Sequence, residues 1–279
     1  MDKSRAGWLK EARASADTMV MLANLGRAVL KRFDDFMYAM GFFAQVMKES
    51  VLLFRRRQVG FHVLVMQILF TGVEALGITA AMALSIGAAI NIIGSSLLSE
   101  FGQGKLMYTV LIVVIAKELG PLLTAFIVIA RSGTAIATEL GGMAVSHELE
   151  AYVAVGINPI SYLAAPRFLG VVSSLVILYL YFNIFGLLGS FVVVQLLRPI
   201  SFSEYSRNLI AALAPGDLFS GLLKSLVFGI IISVVSLYRG FDVERSSTEV
   251  PVAGIKAVGS SFMLCIFADV IMTAVQYLR

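Results

Sequence analysis

The fold is decided by the stretch from Lys117 to Arg167, which reads KELGPLLTAFIVIARSGTAIATELGGMAVSHELEAYVAVGINPISYLAAPR. Two apolar segments of the membrane type flank a central piece that is too polar to lie in lipid and too short to form a domain. A charged pair, Lys117 and Glu118, lies beside Gly120 and Pro121 inside the first apolar segment. Because charge inside a membrane is expensive and usually functional, we expect the functional site in this stretch.

The composition of the 279 residues predicts an integral membrane protein. Hydrophobic residues make up 58% of the chain, charged residues make up 14%, and the mean hydropathy is +0.88. Soluble domains are about 45–50% apolar and about 25% charged. One cysteine, Cys265, excludes an intrachain disulfide, and His62 and His147 are too few for a histidine-based metal cluster. We expect no secretory signal, because the first apolar span begins near residue 60, behind a long polar lead.

Basic residues are concentrated before the first span. Eleven of the 22 Lys and Arg residues precede residue 58, which predicts a cytoplasmic N-terminus by the positive-inside rule. Within 18–57, apolar residues recur at helical spacing among these charges. This pattern predicts an amphipathic helix in the membrane interface, and a helix packed on a partner protein is the alternative. We therefore divide the chain into residues 1–57, a cytoplasmic tail with interfacial amphipathic helices, and a membrane domain of residues 58–279.

Five apolar segments predict an all-α protein with five transmembrane helices and a C-terminus on the far side of the membrane. Small residues are frequent in the first segment, which favours close helix contacts in lipid and predicts a packing face between subunits. Glu74 lies among them and is expected to face a cavity or another helix. The approximate bounds of the segments are Val59–Ile93, Leu106–Ile129, Ile160–Leu197, Leu218–Tyr238 and Val252–Tyr277.

The second segment carries the charged pair and a proline. Pro121 removes a backbone donor and Gly120 loosens the turn, so a kink or local unwinding is expected there. Lys117 and Glu118 serve either as an ion pair that joins helices or as direct contacts to a substrate. The residues themselves leave both alternatives open.

A short cytoplasmic helix is expected between the second and third segments. The Gly141-Gly142 pair should break the preceding helix, and Ser146 should cap a new one over Val145–Val155. Gly156 and Pro159 should end it. Such a helix lies where a cytoplasmic motor would bind, although a mere connector is the alternative.

Several catalytic classes are excluded by missing motifs. No G-x-x-x-x-G-K-[ST] phosphate loop is present, since Gly104-Lys105 lacks both the earlier glycine and the hydroxyl residue. The sequence also has no serine-nucleophile elbow, no metal-ligand pattern and no basic-aromatic surface for nucleic acid. The chain is therefore not its own P-loop ATPase, and we expect it not to be an enzyme.

Several short motifs follow one another in the opening stretch. They are Lys117-Glu118-Leu119-Gly120-Pro121, Arg131-Ser132-Gly133, Thr138-Glu139-Leu140-Gly141-Gly142-Met143, Asn158-Pro159 and Pro166-Arg167. In this order they closely resemble the motifs of the MlaE-type permease family of MCE-associated lipid ABC transporters. The chain departs from the family at Ser146-His147-Glu148, where Thr-Glu-Gln is usual, and at Asn158, where an acidic residue is usual.

The resemblance implies a homodimeric permease of the bacterial inner membrane that moves phospholipid or another lipid. Each subunit would have one interfacial helix and five membrane helices. Separate ABC ATPase subunits, which bind ATP and Mg, would dock on a coupling region at about residues 132–159, so this chain would hold no cofactor and no metal. A periplasmic MCE-domain ring and, in some members, a STAS-domain protein would complete the assembly that maintains outer-membrane lipid asymmetry.

The resemblance also implies roles for individual residues. Lys117 and Glu118 would lie in the wall of a lipid cavity, where Lys117 favours a phosphate and Glu118 orients that lysine or pairs across the dimer. Gly120 and Pro121 would form the hinge. Lipid tails would contact Ile90, Leu97, Leu98 and Phe101. Coupling to the ATPase would involve Glu139, Ser146, His147, Glu148 and Glu150.

Two other functions fit the residues. One is an ion- or proton-coupled carrier that uses Lys117, Glu118 and Glu74 as a relay without an ATPase. The other is a membrane scaffold that anchors an MCE ring without transporting lipid.

Overall fold

A computed structural model describes residues 37, 39–52, 61–100, 106–197, 200–243 and 246–278. These residues form helices and short turns, with no strand among them. The chain divides into two compact units, Met1–Gln45 and Val46–Arg279. In the first unit residues 39–45 are helical. Most of the predicted interfacial region, residues 1–36 and 53–57, lies outside the described residues.

Five helices in the described part of the chain are long and apolar enough to cross a membrane, which confirms the five predicted spans. We call them spans 1 to 5. They comprise His62–Leu97, Leu106–Val145, Ile160–Leu196, Gly216–Phe241 and Glu249–Tyr277. From residue 61 onward, the described α-helices are Phe61–Thr71, Leu76–Glu100, Leu106–Ile112, Gly120–Val128, Thr134–Val145, Glu148–Ala154, Ala165–Leu197, Phe202–Ala212, Pro215–Phe241 and Glu249–Tyr277. The same described part of the chain contains the 3-10 turn Val73–Ala75 and the π-helical segments Val113–Leu119, Ile129–Gly133 and Ile160–Ala164.

Successive spans are joined by short connections, so the bundle has two ends. We call the end with residues 146–159, 242–243 and 246–248 the connector end, and the end with residues 98–100 and 200–215 the far end. The short helix Glu148–Ala154 at the connector end is named the connector helix. Spans 2, 3 and 4 form the buried part of the bundle, whereas span 5 is the least buried of the five.

Span 2 continues through Gly141 and Gly142, so the expected helix break at these glycines is wrong. The helix ends at Val145 instead. A Cβ at position 141 would lie 2.9 Å from Val243, which follows span 4, and 3.6 Å from Val250, at the start of span 5, so glycine allows close packing there. Each glycine costs a helix about 1 kcal/mol relative to alanine. The helix continues nevertheless, and at Gly141 it is packed against Val243 and Val250.

Small residues of span 1 pack against span 3 of the same chain. A Cβ at Gly87 would collide with the carbonyl of Gly186, and the Nδ2 of Asn91 donates to the Oγ of Ser190 at 2.7 Å. These residues therefore serve an intrachain contact and not the expected contact between subunits. Other small residues of span 1 are exposed in the single chain, and their role between subunits stays a prediction. They include Gly77, Ala81, Ser85 and Ala89.

A short amphipathic helix, Phe202–Ala212, lies at the far end and was not predicted from the sequence. The Oγ of Ser201 caps it by accepting the backbone N–H of Glu204 at 3.2 Å. Tyr205 is buried, and its hydroxyl donates to the carbonyl of Leu187 at 3.0 Å. Burial raises the pKa of Tyr205 above its usual value of 10.0, so its docked form is neutral.

Candidate functional site

Lys117 and Glu118 lie in the π-helical segment Val113–Leu119 of span 2. The backbone N–H of Gly120 donates to the carbonyl of Ile115, a spacing of five residues. Pro121 has no N–H to donate, so the carbonyl of Ala116 loses the donor that would follow in the same pattern. The local unwinding expected at this proline is confirmed in the form of a π-helical segment.

The freed backbone carbonyl is satisfied from span 3. The hydroxyl of Tyr179 donates to the carbonyl of Ala116 at 3.0 Å, and Tyr179 is completely buried. Gly221 of span 4 lies against the same carbonyl and the same hydroxyl group. An unpaired carbonyl inside a membrane costs several kcal/mol, so this hydrogen bond is what allows the irregular helix to lie in the bundle.

Glu118 is bound to a buried lysine of span 4. The Nζ of Lys224 donates to the Oε2 of Glu118 at 2.6 Å and lies 3.0 Å from the Oδ1 of Asp269. The hydroxyl of Thr273 accepts from the same Nζ at 2.7 Å and lies 3.2 Å from the Oε2 of Glu118. We call Glu118, Lys224, Asp269 and Thr273 the lysine cluster. It joins spans 2, 4 and 5 and carries two carboxylates for one ammonium group.

Lys117 forms a separate ion pair. Its Nζ lies 3.1 Å from the Oδ1 of Asp217 at the start of span 4 and 5.5 Å from the ring centre of Tyr277. The Oδ2 of Asp217 also accepts the backbone N–H of Ala214 at 3.1 Å, which fixes this carboxylate at the helix start. The side chain of Lys117 is 19% exposed. Lys117 is thus paired with Asp217 near the far end but is not fully buried.

These contacts correct one sequence expectation and favour another. Glu118 does not orient Lys117, because its carboxylate is taken by Lys224. The interpretation in which the charges join helices by ion pairs is observed directly. A contact of Lys117 or Glu118 with lipid stays a prediction.

Glu74 faces another helix, the second of its two expected surroundings. Its carboxylate is bound by the guanidinium of Arg131, which lies in the π-helical segment Ile129–Gly133 of span 2. The ring centre of Phe70 lies 5.1 Å from the Arg131 guanidinium carbon, within range of a cation–π contact. This pair links spans 1 and 2 at a distance from the lysine cluster along span 2.

The residues predicted to contact lipid tails lie toward the far end of span 1. Ile90 is partly buried against a core that includes Met107, Leu111 and Ile115, whereas Leu97 is 56% exposed. The side chain of Leu98 and the whole of Phe101 lie outside the described residues. The tail contacts therefore stay a prediction.

The predicted coupling residues lie at the connector end. Ser146 ends span 2 and does not cap the connector helix, because its Oγ donates to the carbonyl of Gly142 at 3.0 Å. The residue before the connector helix is His147, in the left-handed region with φ 59° and with Nδ1 3.1 Å from the Oε2 of Glu150. Glu148 lies 3.0 Å from the Oγ of Ser146. Glu148 and Glu150 lie in the first turn of the connector helix, where acidic side chains interact favourably with the helix dipole.

The connector helix ends at a glycine, as predicted. Gly156 has φ 79°, and the Oδ1 of Asn158 accepts the backbone N–H of Ile160 at 2.9 Å, which starts the next helical segment. An apolar surface pocket of about 400 Å³ lies beside this turn. It is lined by Leu149, Glu150, Val153, Asn158, Pro159, Ile160 and Phe241.

Glu139 lies on span 2 before this turn. Its Oε1 accepts from the Nη2 of Arg167 on span 3 at 2.7 Å. Arg167 is 5% exposed, and its Nη1 also lies 3.4 Å from the carbonyl of Leu163. Direct contact of Glu139 with an ATPase stays a prediction.

Sequence reasoning gave no role to Lys224, Asp269, Asp217 or Tyr179. Two of them could have been identified from the sequence, because Lys224 and Asp269 are isolated charges within apolar spans. Tyr179 gave no such signal, since a tyrosine in a span is common. Among the described residues, no group of three or more His, Cys, Asp or Glu side chains is placed to hold a metal ion.

Five candidate membrane spans in the described residues, with charges paired between them, define a multi-pass helical membrane protein. Residues 64–275 match the family profile described as Permease MlaE. This match covers most of the 279 residues, and the chain belongs to the MlaE permease family.

Curated relatives agree with this assignment. The chain is 29% identical over 253 residues to a probable ABC transporter permease protein of Rickettsia felis, covering 91% of this chain and 98% of that protein. It is 26% identical over 260 residues to the intermembrane phospholipid transport system permease protein MlaE of Haemophilus influenzae, covering 92% and 99%. It is 30% identical over 204 residues to the chloroplastic protein TRIGALACTOSYLDIACYLGLYCEROL 1 of Arabidopsis thaliana, covering 73% and 58%.

Proposed function

We propose that this chain is the membrane-spanning permease subunit of an ABC-type transporter that moves phospholipid between the inner membrane and a periplasmic MCE-protein assembly. The observation that carries this proposal is the MlaE permease match over residues 64–275. It is supported by relatives that are named as ABC transporter permeases and as an intermembrane phospholipid transport permease. ATP hydrolysis belongs to a separate subunit, as in permeases of this type.

The surrounding assembly is part of the same proposal. Two copies of the chain form the permease, and ATPase subunits that bind ATP and Mg dock on the coupling region at about residues 132–159. The N-terminus is cytoplasmic and the C-terminus periplasmic, so the connector end faces the cytoplasm. This orientation is supported by the 11 basic residues that precede residue 58. A STAS-domain protein is a further partner in this proposal.

Lipid binds at the far end in this proposal, with Ile90, Leu97, Leu98 and Phe101 toward the tails and Lys117 toward the phosphate. Lys117 is paired with Asp217 but still 19% exposed, so a phosphate can replace or share that carboxylate. Gly120 and Pro121 act as the hinge. The π-helical segment beside them supports this role, because such segments are frequent at functional sites.

The relay alternative has less support from the contacts. Each of its three members is bound to a partner outside the relay: Lys117 to Asp217, Glu118 to Lys224 and Glu74 to Arg131. Glu74 also lies far along the bundle from the other two, since Arg131 follows Glu118 by 13 residues, about 20 Å of helix. A proton relay needs groups within hydrogen-bond reach of one another or of a bridging water.

The role of Glu118 is tested by Glu118→Ala in the assembled complex. We expect lipid transfer to be lost while assembly with the ATPase is kept, because Lys224 still has Asp269 at 3.0 Å as a charge partner. Glu204→Ala is the matched control, since Glu204 is an exposed carboxylate of the far-end helix outside the lysine cluster. Unaltered lipid transfer by Glu118→Ala would remove Glu118 from the proposed site.

The assembly itself is tested by purifying the complex from its native membrane. Mass spectrometry should identify a co-purifying nucleotide-binding subunit, an MCE-domain protein and bound phospholipid. Purification without any nucleotide-binding subunit would contradict the ABC assignment and favour the ion-coupled carrier. A complex that hydrolyses ATP without stimulation by lipid would instead favour the scaffold.

A further inference from the structure

The connector helix is attached to two spans by a compact set of contacts. His147 and Gly156, with φ 59° and 79°, form the two corners where the backbone turns in and out of it. The rings of Tyr152 on the connector helix and Tyr162 on span 3 lie 5.4 Å apart. The carbonyl of Tyr152 accepts the backbone N–H of Ile157 at 2.8 Å. These contacts join the connector helix to the start of span 3.

The two spans that carry this turn are joined at its base by an ion pair. Glu139 on span 2 and Arg167 on span 3 are 28 residues apart in sequence, and their side chains meet at 2.7 Å. Arg167 is buried, so its guanidinium depends on Glu139 and on the carbonyl of Leu163 for compensation. Glu139 is 58% exposed in its side chain, yet its Oε1 is directed to Arg167.

Span 2 is also closely packed on its other faces at this level. A Cβ at Gly240 of span 4 would lie 2.7 Å from the Cβ of Leu140, and one at Gly254 of span 5 would lie 2.9 Å from the Cγ2 of Thr138. Span 2 therefore contacts spans 4 and 5 through glycines, whereas the ion pair provides its charged link to span 3. Loss of the ion pair would leave the turn attached to both spans but would remove the charged link that keeps span 2 from shifting relative to span 3 at its base.

We propose that Glu139 and Arg167 are positioning residues that hold the base of the connector turn closed, so that a displacement of the connector helix moves spans 2 and 3 together. This inference rests on the proposed function, in which an ATPase acts on the connector helix. It gives Glu139 a different role from the direct ATPase contact expected from the sequence. The carboxylate acts through Arg167 and within the chain.

The two roles of Glu139 give different results in the purified complex. If Glu139 positions Arg167, Glu139→Ala and Arg167→Ala both reduce the amount of phospholipid transferred per ATP hydrolysed while ATPase binding is unchanged. We expect a loss of about fivefold or more, the lower range of coupling between distant sites. The double variant should be no worse than either single variant, since both remove the same contact. Glu139→Gln keeps an acceptor oxygen and should retain most of the coupling.

The controls separate this result from misfolding and from failure of the proposed function. Arg239→Gln removes another arginine at the connector end, whose Nη1 lies 3.9 Å from Asp242, and should leave transfer per ATP unchanged. If Arg167→Ala does not assemble, Arg167→Lys keeps the charge without the planar fork and should give an intermediate loss. If the wild-type complex shows no ATP-dependent phospholipid transfer, the proposed function fails regardless of the variants.

Two outcomes would overturn the positioning role while leaving the permease intact. One is unchanged transfer per ATP in both single variants. The other is weakened ATPase binding in Glu139→Ala with no effect of Arg167→Ala, which would show that Glu139 contacts the ATPase directly.

Discussion

Lys224 is a fully buried lysine inside a membrane span. An isolated ammonium group cannot remain charged in that environment without partners, because its transfer from water is strongly unfavourable. Its partners come from spans 2 and 5, as Glu118 and Asp269, and lie at 2.6 and 3.0 Å. One side chain therefore determines how three spans approach one another near the far end.

Removal of this lysine should destabilise the bundle. Lys224→Met leaves Glu118 and Asp269 facing each other without a cation, and breaking such a buried pair costs about 3–5 kcal/mol. The expected result is a lower unfolding temperature of the purified protein in detergent. The triple variant Glu118→Gln, Lys224→Met, Asp269→Asn removes the charges together and should recover much of the loss. A triple variant as unstable as Lys224→Met would show that the charges are not the cause.

Among the elements, spans 1 and 3 show how closely two helices approach when both carry glycines. Gly87 meets the carbonyl of Gly186, and Gly189 meets the carbonyl of Leu84. Without a hydrophobic effect between helices in lipid, such contacts stabilise association through dispersion and short-range packing. The hydrogen bond from Asn91 to Ser190 adds a polar contact within the same interface.

Two glycines of span 1 offer a matched test of this packing. Gly87→Ala should lower the unfolding temperature, because the new Cβ collides with the backbone of span 3. Gly77→Ala is the control, since nothing lies within 4 Å of the position its Cβ would take, and it should stabilise the helix by up to about 1 kcal/mol. Equal effects of the two substitutions on unfolding would contradict the assigned interface.

The five spans could be predicted from the sequence because each is an apolar run of sufficient length, and the unwinding near Pro121 followed from the missing backbone donor. The continuation of span 2 through Gly141 and Gly142 could not be predicted. At Gly141 it is favoured by packing against Val243 and Val250, which are about 100 residues later in the chain. Local propensity was overridden there by tertiary packing.

The candidate site was predicted only in part for a similar reason. Lys117 and Glu118 were identified as charges in a span, but their partners lie on spans 4 and 5, and no sequence spacing specifies which charges will meet. Tyr179 was missed because its role depends on one backbone carbonyl that the π-helical segment frees. Glu139 was identified through the family resemblance, whereas its contact with Arg167 is known only from the structure.

On the scale of the whole molecule, span 2 is the element that links the two ends of the bundle. It is continuous over 40 residues, about 60 Å at 1.5 Å per residue, and therefore longer than the roughly 30 Å hydrocarbon core. One part of it carries Lys117 and Glu118, and another part carries Glu139 just before the connector helix. A single helix thus connects the proposed lipid site with the proposed ATPase contact.

Span 2 combines α-helical stretches with π-helical segments. The π-helical segments Val113–Leu119 and Ile129–Gly133 carry the charges that bind spans 4 and 1, and the stretches around them are α-helical. We infer that a displacement at the connector end is transmitted along the α-helical parts and changes the charge contacts at the irregular ones. This route would connect ATP hydrolysis at the connector end with lipid movement at the far end.

The most direct test of that claim is phospholipid transfer by the purified complex in liposomes that contain a fluorescent phospholipid. We predict transfer that requires ATP hydrolysis, stops with a non-hydrolysable ATP analogue and does not respond to a proton gradient. Transfer driven by a proton gradient without ATP, or ATP hydrolysis with no phospholipid movement at all, would contradict the account.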